Sequence, residues 1–166
     1  MVYFRMLESP VGVLLLAGDR SGLRKLLFQG QAAPDWMPDD GQLEPVADQL
    51  AQYFAGERNE FTVPLAPEGT SFQKAVWREL RNIPYGETLS YGELARRLGT
   101  PSAARAVGAA NGANPIGIIV PCHRVIGSGG KLVGFSGGLD NKQWLLSHER
   151  KQSPVNPHPL FRELTT

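Results

Sequence analysis

Ser90-Tyr91-Gly92-Glu93-Leu94-Ala95-Arg96-Arg97-Leu98-Gly99-Thr100-Pro101-Ser102-Ala103-Ala104-Arg105-Ala106-Val107-Gly108 is the stretch that decides how this chain folds. Ser90 and Glu93 stand at capping-box spacing and open a short helix, with Leu94, Ala95 and Leu98 inward and Gly99 as its stop. Thr100 then predicts the cap of a following helix running from Pro101 to about Gly112, with Pro101 at the first helical position, where its missing N–H costs nothing. Two short helices parted only by Gly99-Thr100 read as a helix-turn-helix. The second helix is nearly all alanine and glycine, and Arg105 is its one long side chain. Small residues allow close backbone approach to another surface, and an unpaired arginine is costly to bury, so the helix reads as facing outward rather than packed in a core.

Upstream, Thr70 and Gln73 form another capping box for a helix that must end before Pro84. Pro64, Pro67 and Gly69 mark a linker, and the charge changes sign there. Residues 1–68 carry five Lys/Arg against ten Asp/Glu, and the remainder twelve against six, although the net charge of the chain is only +1. The basic half therefore suits an anionic partner. Val2 to Leu7, Val11 to Ala17 and Leu23 to Phe28 read as strands separated by turns, and Phe61 to Leu65 alternates like one more. Leu43, Val46, Ala47, Leu50 and Phe54 recur at helical spacing. The expected fold is an α/β domain over 1–68, with a small antiparallel sheet plus a helix. A mainly helical, winged-helix-like domain follows over 69–150, then an extended or disordered tail over 151–166.

Downstream, the apolar run Ile116 to Val120 leads into Pro121-Cys122-His123-Arg124. The segment Gly127 to Gly138 holds six glycines and reads as a mobile loop. It lacks the Lys-Ser/Thr ending of a phosphate-binding loop. A last helix is expected from an Asp140 cap through Trp144, Leu145 and His148. With 42% hydrophobic and 20% charged residues the composition is that of an ordinary globular protein. No apolar run reaches membrane-span length, and no signal-peptide layout stands at Met1, so a cytoplasmic setting is expected. One cysteine forms no internal disulfide, and with three histidines it makes a poor metal site, so neither metal nor cofactor is expected.

A lone cysteine is usually a buried small hydrophobe. Here His123 follows it, and an imidazole can take the thiol proton to leave the reactive thiolate. Neighbours on a regular strand point to opposite faces, but Pro121 and Gly127 suggest a tight turn in which the two could meet. Glu149, on the last helix, is the candidate to orient His123. A binding module without chemistry and a cysteine hydrolase are the competing readings.

The run Ile119-Val120-Pro121-Cys122-His123-Arg124-Val125-Ile126-Gly127 resembles the active-site signature of the O6-alkylguanine-DNA alkyltransferases. Ile83 to Tyr91 resembles that family's approach to its helix-turn-helix, and Ala103 to Gly108 its recognition helix. Asn114-Pro115 resembles its hinge. Ser136-Gly137-Gly138 and Trp144 through Glu149 are similar to its closing loop and last helix. The resemblance implies a ribonuclease-H-like first domain and a cysteine, Cys122, that accepts the alkyl group irreversibly from O6-alkylguanine, and from O4-alkylthymine, in double-stranded DNA. It also implies that His123 activates Cys122 through a water, with Glu149 orienting the imidazole. Tyr91 would donate to the guanine ring and Asn114 would brace the turn. Ser136 would hold O6, and the Val125 carbonyl would read the exocyclic amine. Arg105 would take the space of the flipped base from the minor groove, with Thr100, Ser102 and Ala104 beside it on DNA. The expected state is a monomer, with clustering on DNA left open. One position departs: Phe135 stands where relatives commonly carry tyrosine, which puts in doubt any hydroxyl contact there.

Overall fold

The computed structural model describes residues 1–152; the tail expected from 153 onward lies outside the described residues. The chain divides into two compact units, one of Met1–Glu68 with Pro115–Gly117, the other of Gly69–Asn114 with the described residues from Ile118 on. No helix among the described residues is long and apolar enough to cross a membrane.

In the first unit β1 (Tyr3–Ser9), β2 (Gly12–Asp19) and β3 (Gly22–Phe28) form an antiparallel meander with β2 in the middle. Being central, β2 buries Leu14, Leu15, Leu16 and Ala17 completely, which explains its continuous apolar run. Gly12 and Gly22 turn the chain with positive φ; at Gly22 a Cβ would meet the Pro64 carbonyl at 2.7 Å. The expected antiparallel sheet is in fact mixed, because β4 (Met37–Pro38) joins the edge parallel to β1. Two residues, one of them proline, carry no alternation that would announce a strand. Helix α1 (Glu44–Phe54) buries Val46, Ala47, Leu50 and Tyr53 along one stripe. The strand expected over Phe61 to Leu65 does not form. Gln49 of α1 bonds both the backbone N–H and the hydroxyl of Thr62, and only Leu65 bridges to Leu23. Pro115–Gly117 returns to this unit: the Leu26 N–H donates to the Pro115 carbonyl at 2.9 Å, and the Gly117 N–H to the Leu26 carbonyl.

The second unit opens with α2 (Ser71–Leu80), whose Thr70–Gln73 capping box is complete. The short β5 (Leu89–Ser90) runs into α3 (Tyr91–Arg97), where Ser90 and Glu93 form the second box. Helix α4 (Ala104–Gly112) starts three residues later than expected and has no side-chain cap. Pro101 and Ser102 make a turn instead, closed by the Ala103 N–H on the Thr100 carbonyl, and the Thr100 hydroxyl is buried without a hydrogen-bond partner among the described residues. Trp77 of α2 donates its indole N–H to the Ala110 carbonyl at 2.9 Å, tying α2 to α4. Beyond α4, a 3₁₀ turn over Cys122–Arg124 leads to β6 (Val125–Ile126), which pairs parallel with β5. Helix α5 (Leu139–Gln152) carries Asp140 in its first turn rather than as its cap. It also includes Lys151 and Gln152, which had been assigned to the tail.

Candidate active site

The cysteine follows a constrained stretch of backbone. Ile118, a β-branched residue, has φ of 70°, a conformation that such side chains rarely adopt. The Cys122 N–H then closes on the Val120 carbonyl at 2.8 Å, and Pro121 precedes the 3₁₀ turn. The turn places Cys122 and His123 side by side off any regular strand. Both are buried, with His123 wholly inaccessible. The Asn114 side-chain amide donates to the Val120 carbonyl at 2.8 Å, and its influence on the Cys122 thiol favours ionisation.

Glu149 of α5 is the electrostatic centre. Its Oε2 lies 2.7 Å from His123 Nε2, and Arg124 grips both oxygens, Nε at 2.8 Å from Oε1 and Nη2 at 3.1 Å from Oε2. The Gly86 N–H also donates to Oε1, and Arg124 Nη1 donates to the Ile83 carbonyl at 2.7 Å. The Ile83–Gly86 loop thus closes the base of the site as well as leading to α3. Burial pushes the Glu149 carboxyl up, but His123 and the Arg124 guanidinium outweigh it and hold the group ionised, below the usual carboxylate range. Burial lowers His123, so the imidazole is neutral. With Glu149 accepting from Nε2–H, the lone pair is left on Nδ1, which is buried and has no partner among the described residues. Burial also raises the Cys122 thiol, against the pull of Asn114 and Lys142, so the resting group is protonated and needs a base.

Lys142 and Arg124 are the contributors that the sequence reading left without a role. Lys142 is entirely inaccessible, and its ammonium donates to the Val125 carbonyl at 2.6 Å and to the Val133 carbonyl at 2.9 Å. It joins the cysteine-bearing segment to the glycine loop, and it occupies one face of the carbonyl expected to read the base. Burial brings it down to about 8, with the nearby Cys122 charge opposing that shift. Lys142→Met should shift Cys122 alkylation by iodoacetamide to higher pH, because the thiolate loses a nearby cation. An unchanged midpoint would limit Lys142 to its two carbonyl bonds.

Tyr91, at the start of α3, donates to the Val133 carbonyl at 3.4 Å and feels the Cys122 charge. Tyr91, Asn114, Cys122, His123 and Glu149 are therefore brought together. Ser136 is exposed and Phe135 half-buried on the 127–138 loop. Arg105 and Ser102 are exposed, and Ala104 partly so, where the chain turns into α4.

A cysteine beside a histidine held by a buried carboxylate defines a class of protein that uses a thiolate as nucleophile. Comparison with known families narrows the class. The ribonuclease-like domain of 6-O-methylguanine DNA methyltransferase matches residues 2–67, and the DNA-binding domain of the same family matches 71–151. The chain belongs to the 6-O-methylguanine DNA methyltransferase family. It is 53% identical over 153 residues to the methylated-DNA–protein-cysteine methyltransferase of Methanosarcina acetivorans, covering 89% of this chain and 98% of that one. It is 51% identical over 160 residues to the Mycobacterium bovis protein of the same name, covering 94% and 97%. The crystal structure of Mycobacterium tuberculosis OGT in complex with DNA superposes with a TM-score of 0.86 at 50% identity, covering 99% of each chain.

Proposed function

We propose that the chain repairs DNA as a methylated-DNA–protein-cysteine methyltransferase, moving the alkyl group from guanine O6 to Cys122 in one turnover. His123 Nδ1 takes the thiol proton through a water. The sulfur attacks the alkyl carbon as the carbon–O6 bond breaks, and the electron pair stays with the guanine. Tyr91 gives the ring a proton, and the proton held on His123 restores Tyr91, so the net proton transfer is from thiol to base. Ser136 steadies O6, and the Val125 carbonyl, which also accepts from Lys142, reads the exocyclic amine.

Supporting this reading above all is the buried imidazole whose Nε2 is taken by an ionised carboxylate, leaving Nδ1 as the base beside a protonated thiol. The reacting bond is inaccessible inside a duplex, so the base must be extruded. Helices α3 and α4 act as a helix-turn-helix, and the exposed Arg105 enters from the minor groove with Thr100, Ser102 and Ala104 alongside. The first unit is of ribonuclease-H-like type.

A thioether has no easy route back to the thiol, so the reaction consumes the protein. Incubation with excess O6-methylguanine duplex should add one methyl group per molecule, located on Cys122 by peptide mass. Sustained turnover, or a methyl group elsewhere, would sink the assignment.

A further inference from the structure

Two asparagines stand near the end of α4, Asn111 in its last turn and Asn114 just beyond it, and the mechanism so far uses only Asn114. Asn114 serves the nucleophile. Asn111, one turn earlier, is 2% exposed, and its Oδ1 is buried with no hydrogen-bond partner among the described residues. Such an orphaned acceptor is costly, and a leucine of similar size would fill the same space without that cost. The polar group therefore has a use on its other side.

That side faces Tyr91. The Tyr91 ring lies along α4 over Gly108, where a Cβ would stand 3.6 Å from the ring, and Asn111 follows Gly108 on the same face. Asn111 is thus placed to meet the Tyr91 hydroxyl. Burial and the Cys122 charge push that hydroxyl up, and the Asn111 amide pulls it back. The hydroxyl proton goes to the Val133 carbonyl at 3.4 Å, a long bond that an incoming base can replace.

We propose that Asn111 is a positioning residue for alkyl transfer: its amide N–H donates to the Tyr91 hydroxyl oxygen, so the hydroxyl proton points toward the reacting base. The proposal rests on the reading of Tyr91 as the proton donor. Asn111 makes the donor stronger and fixes its direction, whereas an acceptor at the same place would hold the proton away from the base. The two asparagines divide the work, Asn111 on the departing base and Asn114 on the thiol.

The experiment is a set of single-turnover rates on O6-methylguanine duplex for wild type, Asn111→Leu, Asn111→Asp, Tyr91→Phe and the Asn111→Leu/Tyr91→Phe pair, with thermal unfolding read for each. Asn111→Leu should slow transfer about tenfold, the scale of one hydrogen bond. It should add no loss once Tyr91 is phenylalanine. Asn111→Asp keeps the shape and offers only acceptors at neutral pH, so it should be at least as slow; it also carries the test should the leucine variant fail to fold. A wild-type rate for either Asn111 variant, or equal loss with and without the Tyr91 hydroxyl, overturns the proposal. A wild-type rate for Tyr91→Phe removes the reading of Tyr91 itself, and the proposal with it.

Discussion

Glu149→Gln is expected to cost roughly 3–5 kcal/mol of stability and to slow transfer severely, because it strips a buried cation of its partner. Arg124 is 7% exposed and reaches Glu149 with a two-pronged grip. A glutamine keeps one oxygen, and its NH₂ group must face either the Arg124 fork or His123 Nε2–H, which sets donor against donor. Arg124 retains the Ile83 carbonyl, but its charge is no longer matched. His123 loses the anion that fixes its tautomer, so less of the protein holds the lone pair at Nδ1. The pH–rate profile should move upward, since the thiol must then ionise with less help.

The same pair makes stability fall in acid. Glu149 lies below its ordinary value in the folded state, so its contribution is present above about 4.3 and is lost as pH falls below that. His123 also lies below its ordinary value, so its contribution is lost as pH falls below about 6.5. Wild-type melting temperature should decline in two stages as pH is lowered from 8 to 3. Glu149→Gln should flatten the lower stage. A variant that melts like wild type at pH 7, with the lower stage intact, would show that the Arg124–Glu149 pair does not hold the site together.

How much of this was legible in the chain depends on what each residue's chemistry makes visible. The capping boxes at Thr70 and Ser90 were readable because both partners lie within one turn. Cys122, His123 and Glu149 were readable because a thiol beside an imidazole suggests a base, and a base suggests a carboxylate. Lys142 was hidden by its charge. It stands at helical spacing from Leu145, Leu146 and Glu149, all buried, but a lysine on an apolar face ordinarily extends its ammonium to water. Only the Val125 and Val133 carbonyls, supplied from elsewhere in the fold, let it stay inside. Arg124 was masked by adjacency to His123, and its partner at Ile83 is 41 positions away. Asn111 fell inside the helix expected to reach Gly112, but a polar residue beside a glycine at a helix end gives no sign that it is buried. Thr100-Pro101 misled in the opposite sense. Its residues match a helix start, but the chain takes an extra turn before Ala104, so side-chain capping was not the deciding force.

Arg105→Ala should slow repair of a duplex lesion by about a hundredfold while barely altering reaction with free O6-benzylguanine, provided the pocket admits that base. Extruding a nucleotide costs a few kcal/mol of stacking and pairing, and a side chain filling the gap offsets part of it. Arg105 is exposed in the first turn of α4, and the small neighbours Ala104, Ala106, Gly108 and Ala109 present little bulk around it. That surface suits a shallow groove, with one long side chain available to enter the stack. A free base needs no extrusion, so its rate reports only the pocket and the chemistry of Cys122. The ratio of the two single-turnover rates therefore separates flipping from transfer, and the wild-type ratio is the reference. Equal slowing on duplex and free base would place Arg105 in support of the fold or the pocket. Equal rates for mutant and wild type on both would make it an ordinary surface arginine, and the extrusion step would then depend on some other part of the α3–α4 corner.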